Sequence, residues 1–205
     1  MTAAVTHGVP VGGHESGPAS KRVIVAYGFW IFLLSDIVMF SAIFATYAVL
    51  SRATAGGPSG TDLFSQGTVA IETSCLLASS FLCGMMSMAV SRGDYRGTYI
   101  GGASTFLLGA AFLALEIREF AGMVAQGATP ERSAFLSAFF TLVGCHGAHV
   151  AVGLAWLIVM MALVRSKGFR PNIRRRLACF SLFWHALDII WVALFTIVYL
   201  MGMHK

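Results

Sequence analysis

An all-α membrane protein with five transmembrane helices is the fold class that the sequence predicts, and three observations predict it. Hydrophobic residues make up 57% of the 205-residue chain and charged residues only 11%, where a soluble domain carries roughly 25%. Five apolar stretches each approach or exceed the ~20 residues that cross a bilayer. Most basic residues fall in alternate connections between those stretches, as membrane topology requires. The mean hydropathy, +0.77, agrees. A net charge of +5 spread over short loops forms no basic–aromatic groove, so nucleic acid is excluded as a partner.

Residues 1–26 read as a polar cytoplasmic tail, and residues 27–205 as the five-helix domain. The tail lacks an early apolar core, so no cleaved signal peptide is expected, and His7 and His14 read as tail residues. The first span runs from about Tyr27 to Leu50 and leads into SRATAGGPSGTDLFSQG, a Gly- and Ser-rich loop broken by Pro58. The second runs from about Thr68 to Val90, and the third from about Thr98 to Val124. In GATPERS, Pro130 and Glu131 sit where a helix would begin, with Thr129 as the expected N-cap. The fourth span extends from about Phe135 to Val164, long enough to tilt, and the fifth from about Leu177 to Met201.

With the amino terminus inside, the inner segments hold ten basic residues (Lys21, Arg22, Arg92, Arg96, Arg165, Lys167, Arg170, Arg174, Arg175, Arg176) and the outer ones three (Arg52, Arg132, Lys205). Arg118 falls within the third span. The amino terminus is therefore expected in the cytoplasm and the carboxyl terminus outside.

Every span carries ionisable groups: Asp36; Glu72; Glu116 and Glu119; His146 and His149; His185 and Asp188. Residues three apart share a helix face, so the last three sets are pairs of neighbours. Gly144, Gly147 and Gly153 beside the histidines leave room for another helix. Since such groups turn from lipid toward protein, the reading is an interhelical polar network that fixes register. Asp188 is expected with one histidine, and Glu72 or Glu116 with the other. The Glu-x-x-His pattern of a di-metal bundle is absent. Haem ligation across His146 and His185 and a proton relay stay open as other readings. Cys75, Cys83, Cys145 and Cys179 read as small buried hydrophobes, and Ser35, Ser79 and Ser80 as helix-contact serines. Phe29, Trp30, Trp184, Trp191 and Tyr199 are assigned to packing and the interfacial aromatic belt.

Gly144-Cys-His146-Gly-Ala-His149-Val-Ala-Val-Gly153 resembles the GxHGxHVxxG signature of subunit III of the haem-copper respiratory oxidases. Trp184-His185-Ala-Leu-Asp188-Ile-Ile-Trp191 is similar to that family's WHxxDxxW signature. Glu72-Thr-Ser-Cys-Leu-Leu-Ala-Ser-Ser80 and Glu116-Ile-Arg-Glu119-Phe resemble related family segments. Within the family, the five-span length and Glu72 resemble the cytochrome o ubiquinol oxidase branch. The resemblance implies a non-catalytic subunit, without cofactor, metal or catalytic residue of its own, in a bacterial inner membrane. It implies that haems, copper and ubiquinol belong to subunit I, on which this chain would pack, and that phospholipid lies in a cleft between a two-helix and a three-helix part. Arg165 matches a family arginine that meets lipid phosphate; Arg165, His146 and His149 are the candidate lipid-binding residues. A subunit III-like accessory of a nitric oxide reductase, a small membrane cytochrome or metal enzyme, and a proton-coupled transporter remain as alternatives.

Overall fold

A computed structural model describes residues 21–54, 56 and 66–200, all of its regular structure helical. His7, His14 and Pro58 lie outside the described residues. The helices are α1 (Lys21–Leu50), α2 (Gln66–Arg92), α3 (Tyr95–Ala125), α4 (Ala134–Lys167) and α5 (Pro171–Leu194), the last prolonged by a π-helical turn, Phe195–Leu200. Among the described residues, five helical segments are long and apolar enough to span a membrane: Val23–Leu50, Gly67–Arg92, Tyr95–Ala125, Ala134–Lys167 and Pro171–Tyr199. The helix at Lys21 and that at Pro171 start ahead of their apolar stretches. Pro171 suits a first turn, where its missing N–H costs no hydrogen bond.

The α2–α3 hairpin is the tightest unit. Gly93, with φ of 76°, reverses the chain in the left-handed region that favours glycine. Asp94 then caps α3 by accepting from the Arg96 N–H at 3.0 Å. Beyond the turn, a Cβ on Gly101 would stand 2.9 Å from the Met86 Cβ and 3.1 Å from its Cα. The absent side chain is what lets these two backbones meet.

Helix α4 begins later than the sequence pattern predicts. Thr129 is not its cap: the Arg132 N–H bonds the Thr129 carbonyl at 3.1 Å, closing a turn over Pro130 and Glu131. The cap is Ser133, extended at φ −154° and ψ 154°, whose hydroxyl accepts from the Leu136 N–H at 3.1 Å.

The grouping of spans one and two against spans three to five does not describe these contacts. Helix α1 packs on α4 and α5, while α2 packs on α3 and α5. The reason lies in the face of α1 that carries Leu33, Phe40 and Tyr47, its buried residues. Phe40 stacks edge-on to His149 at 5.3 Å, Tyr47 meets Phe135 at 6.1 Å, and Phe29 meets Trp156 at 6.1 Å. All three partners belong to α4. The rest of α1 is largely exposed, with Val38 at 69% and Val49 at 80%.

Gly101→Val should lower the thermal midpoint of the purified protein in mild detergent, at a cost of about 1–3 kcal/mol from overpacking. Gly28→Val is the matched control and should change little, because nothing lies within 4 Å of a Cβ there.

Candidate functional site

The two motif segments meet face to face. Trp184 Nε1–H donates to Ser79 Oγ at 3.1 Å, and that hydroxyl donates to the Leu76 carbonyl at 2.7 Å. Trp191 Nε1–H donates to Thr73 Oγ1 at 3.1 Å, and Thr73 donates to the Val69 carbonyl at 2.8 Å. Between them, His185 Nδ1 and Ser80 Oγ share a hydrogen bond of 2.7 Å. Rising numbers on α5 thus pair with falling numbers on α2, the register of antiparallel helices. Each of Thr73 and Ser79 uses its spare donor on its own helix, which leaves its oxygen free to accept the indole.

Trp184 is also the wedge on which four helices converge. Its ring fills the space of missing side chains at Gly109 on α3 and Gly153 on α4, with a virtual Cβ 2.9 Å from ring atoms in both cases. Trp184, Trp191 and Tyr199 are 1%, 0% and 0% exposed, so they form no interfacial belt; of the five aromatics assigned there, Trp30 is the exposed one, at 54%. Ser35 likewise bonds the Phe32 carbonyl on an exposed face of α1 rather than a second helix. The four cysteines are free thiols; Cys83 is fully buried, the others partly.

His146 and His149, though adjacent on α4, have different surroundings. His146 is 0% exposed and enclosed by Trp191, Phe112 and Phe40, with ring centroids at 5.2, 5.9 and 6.4 Å. Neither of its nitrogens has a hydrogen-bond partner among the described residues. His149 turns back on its own helix, where Nδ1–H donates to the Cys145 carbonyl at 2.7 Å. Across the helix gap its acidic neighbour is Asp36 on α1.

Among the described residues, the expected pairing of His146 with a glutamate does not form. Aromatic rings occupy the space a carboxylate would need beside His146, and both Glu72 oxygens are buried without a partner among the described residues. Asp188 lies beside both His185 and Ser80, while His185 Nδ1 bonds Ser80; the buried Asp188 Oδ1 has no hydrogen-bond partner among the described residues.

A second cluster gathers toward the other ends of α2 and α3. Glu72 (0% exposed) and Glu116 (3% exposed) lie within electrostatic reach of one another and of Glu119. The Tyr199 hydroxyl is turned toward Glu119, with Tyr47 nearby. Gly147 makes the room: a Cβ there would sit 2.6 Å from Glu116 Oε1. Arg118, between the two α3 glutamates in sequence, points outward and is exposed. Among the described residues, no three His, Cys, Asp or Glu side chains converge as a metal-holding group.

The lipid candidates separate. Complete burial removes His146 from any lipid's reach, which corrects that assignment, whereas His149 is partly exposed and Arg165 exposed near the end of α4. A cavity of about 700 Å³ lies between α1, α2 and α5, where Phe29, Trp30, Val90 and Leu177 form apolar walls beside Arg174 and Arg175. Arg174 rests 5.4 Å over the Phe169 ring, and Arg175 bonds Asn172. In the sequence these arginines register only as loop charges. The available signal was their place inside the first turns of a span.

A five-span bundle with a tryptophan–hydroxyl seam at its centre is the class these features define: a polytopic membrane protein. The chain belongs to the family of cytochrome c oxidase subunit III, which it matches over residues 6–203. It is 48% identical over 189 residues, 92% of this chain and 88% of the relative, to cytochrome bo(3) ubiquinol oxidase subunit 3 of Pseudomonas aeruginosa. Similarity extends to quinol oxidase subunit 3 of Bacillus subtilis, 44% identical over 86% of both chains. It also extends to cytochrome c oxidase subunit 3 of Bacillus sp. strain PS3, 43% identical over 86% of this chain and 85% of the relative.

Ser79→Ala leaves the Trp184 indole N–H unpaired and should destabilise the protein by about 1–3 kcal/mol. A double-mutant cycle with Trp184→Phe, measured by denaturant titration in detergent, should return a coupling of about 0.6–1.7 kcal/mol.

Proposed function

We propose that this chain is the non-catalytic subunit III of a bacterial quinol oxidase complex, a terminal oxidoreductase of aerobic respiration. The observation that carries this reading is the 48% identity, over 92% of the chain, to a relative named for that role. In the proposal, subunit I holds the haems and copper, oxidises ubiquinol, reduces oxygen and pumps protons, while the present chain packs against it and stabilises it. The seam and the residues around it (Asp36, Glu72, Glu116, Glu119, His146, His149, His185 and Asp188) then serve helix register and assembly. The similarity to a cytochrome c oxidase subunit supports a second reading, in which the complex takes electrons from cytochrome c. Oxidation of quinol or of reduced cytochrome c by the purified complex separates the two.

The chain is proposed to sit in the inner membrane with residues 1–26 in the cytoplasm and the carboxyl terminus outside, a placement supported by the ten-to-three bias of basic residues. Arg174 and Arg175 then stand at the cytoplasmic mouth of the 700 Å³ cavity. Two cations above apolar walls suit an anionic phospholipid: the headgroup meets guanidinium and the acyl chain meets Phe29, Trp30 and Leu177. Arg165, exposed at the same end, and His149, at the α1–α4 contact, are further candidates for lipid.

Purification of the tagged chain in mild detergent should recover a larger haem-bearing subunit with quinol oxidase activity. Iron or copper retained by this chain after separation from all companions would overturn the reading. Changing Arg174 and Arg175 together to Ala should lower the phospholipid retained per complex, read by mass spectrometry, by about half or more.

A further inference from the structure

Three carboxyl groups take no part in the tryptophan–hydroxyl seam or in the 700 Å³ cavity. Glu72 lies near the start of α2, Glu119 near the end of α3 and Tyr47 in the last turn of α1. With Glu116 and with Tyr199 of the π-helical turn, they share one end of the bundle. Glu72 and Glu116 are 0% and 3% exposed. Both Glu72 oxygens, and Oε2 of Glu116 and of Glu119, are buried without a hydrogen-bond partner among the described residues. The charged groups within electrostatic reach of Glu72 and Glu116 are other glutamates. Helix α4 brings no charge to them: it contributes Gly147, where a Cβ would stand 2.6 and 2.8 Å from the two Glu116 oxygens. His146 is walled off by Phe112 and Trp191, and Arg118 is exposed.

An ionised carboxylate held away from water without a counter-charge is costly, and a like-charged neighbour adds to the cost. The neutral acid avoids both penalties. It also turns an acceptor-only group into a donor, so that each O–H can bond the next carboxyl or a phenol oxygen. A metal ion would supply positive charge too, but among the described residues no three side chains converge to hold one. Access is at one margin. Glu119 is partly exposed, ~9 Å along the axis from the end of α3. The exposed Arg118 beside it stands at a level from which a long basic side chain reaches water. Glu72 is the far end. There Trp191, bonded to the adjacent Thr73 and edge-on to Phe112 at 4.6 Å, closes the cluster off from His146.

We propose that Glu72, Glu116 and Glu119 form a blind proton-binding site, entered at Glu119 and closed at Trp191, whose carboxyl groups hold protons in common beside the Tyr199 hydroxyl. Loading moves a proton from water to a carboxylate oxygen and transfers no electron. The site is no relay across the membrane, because it ends at the aromatic wall. The inference goes beyond helix register and does not depend on which electron donor the complex uses.

Infrared spectroscopy of the purified complex tests this through the carbonyl stretch of neutral carboxylic acids, which deuterium shifts and which an ionised carboxylate lacks. Glu72→Gln and Glu116→Gln keep the shape of the neutral acid, and each should lose part of this band relative to wild type at neutral pH. Spectra of both variants that match wild type in this band overturn the proposal. The lost component should exchange with deuterium in the wild-type protein; a component that never exchanges also overturns it. Glu119→Leu blocks the entrance and should slow that exchange, while Glu131→Leu, on the exposed turn before α4, should leave it unchanged. Exchange as fast in Glu119→Leu as in wild type rules out the entrance and with it the proposal. Where Glu72→Gln fails to assemble, Glu116→Gln and the exchange measurement decide the question.

Discussion

The indole of Trp184 is held where water does not reach. Its N–H has one hydroxyl to bond, Ser79, and its ring has two glycine-made hollows to fill, at Gly109 and Gly153. An unpaired N–H in hydrocarbon costs several kcal/mol, and a large ring tolerates few rotations in a close-packed interior. Polar satisfaction and packing thus impose the same arrangement. Helices α2, α3, α4 and α5 must approach this one side chain at set heights. Trp191 repeats the device farther along α5 with Thr73, and together the two bonds set the α2–α5 register.

The division of labour among polar groups follows. Neutral donors and acceptors, indole with hydroxyl, carry the interhelical hydrogen bonds of the interior. His146 is walled off from the carboxylates by aromatic rings, and Glu72, Glu116 and Glu119 gather around Tyr199. Such a layout avoids a buried ion pair, whose desolvation often outweighs its Coulomb attraction.

Glycines have two uses in this bundle, and they differ physically. Gly101 brings backbone to backbone, so α2 and α3 form the closest pair. Gly109, Gly147 and Gly153 bring side chain to backbone, admitting Trp184 or Glu116 into a helix surface. The expectation that small residues beside His146 open an interior wall holds at Gly147 and Gly153. At Gly144 the nearest neighbour, a Phe120 ring carbon, stays 3.7 Å from a virtual Cβ, an ordinary contact.

Five spans were legible in the sequence because each requires only a long apolar run, a local property. The family was legible because two motifs recur in order, and the comparisons agree. Helix starts were less so: Ser133 rather than Thr129 caps α4, since a turn over Pro130 consumes the earlier residues. The partners of the polar residues were not legible at all. Identity and helix face told that Glu72 and His146 turn toward protein, but hydrogen bonding depends on which rings already occupy the space between helices. That is settled by the packing of Phe40, Phe112 and Trp191 around His146, residues from three different helices. Composition and periodicity thus determined the spans, and tertiary contact alone decided the pairs, because a hydrogen bond needs two groups within about 3 Å and sequence spacing governs that distance only inside a single helix.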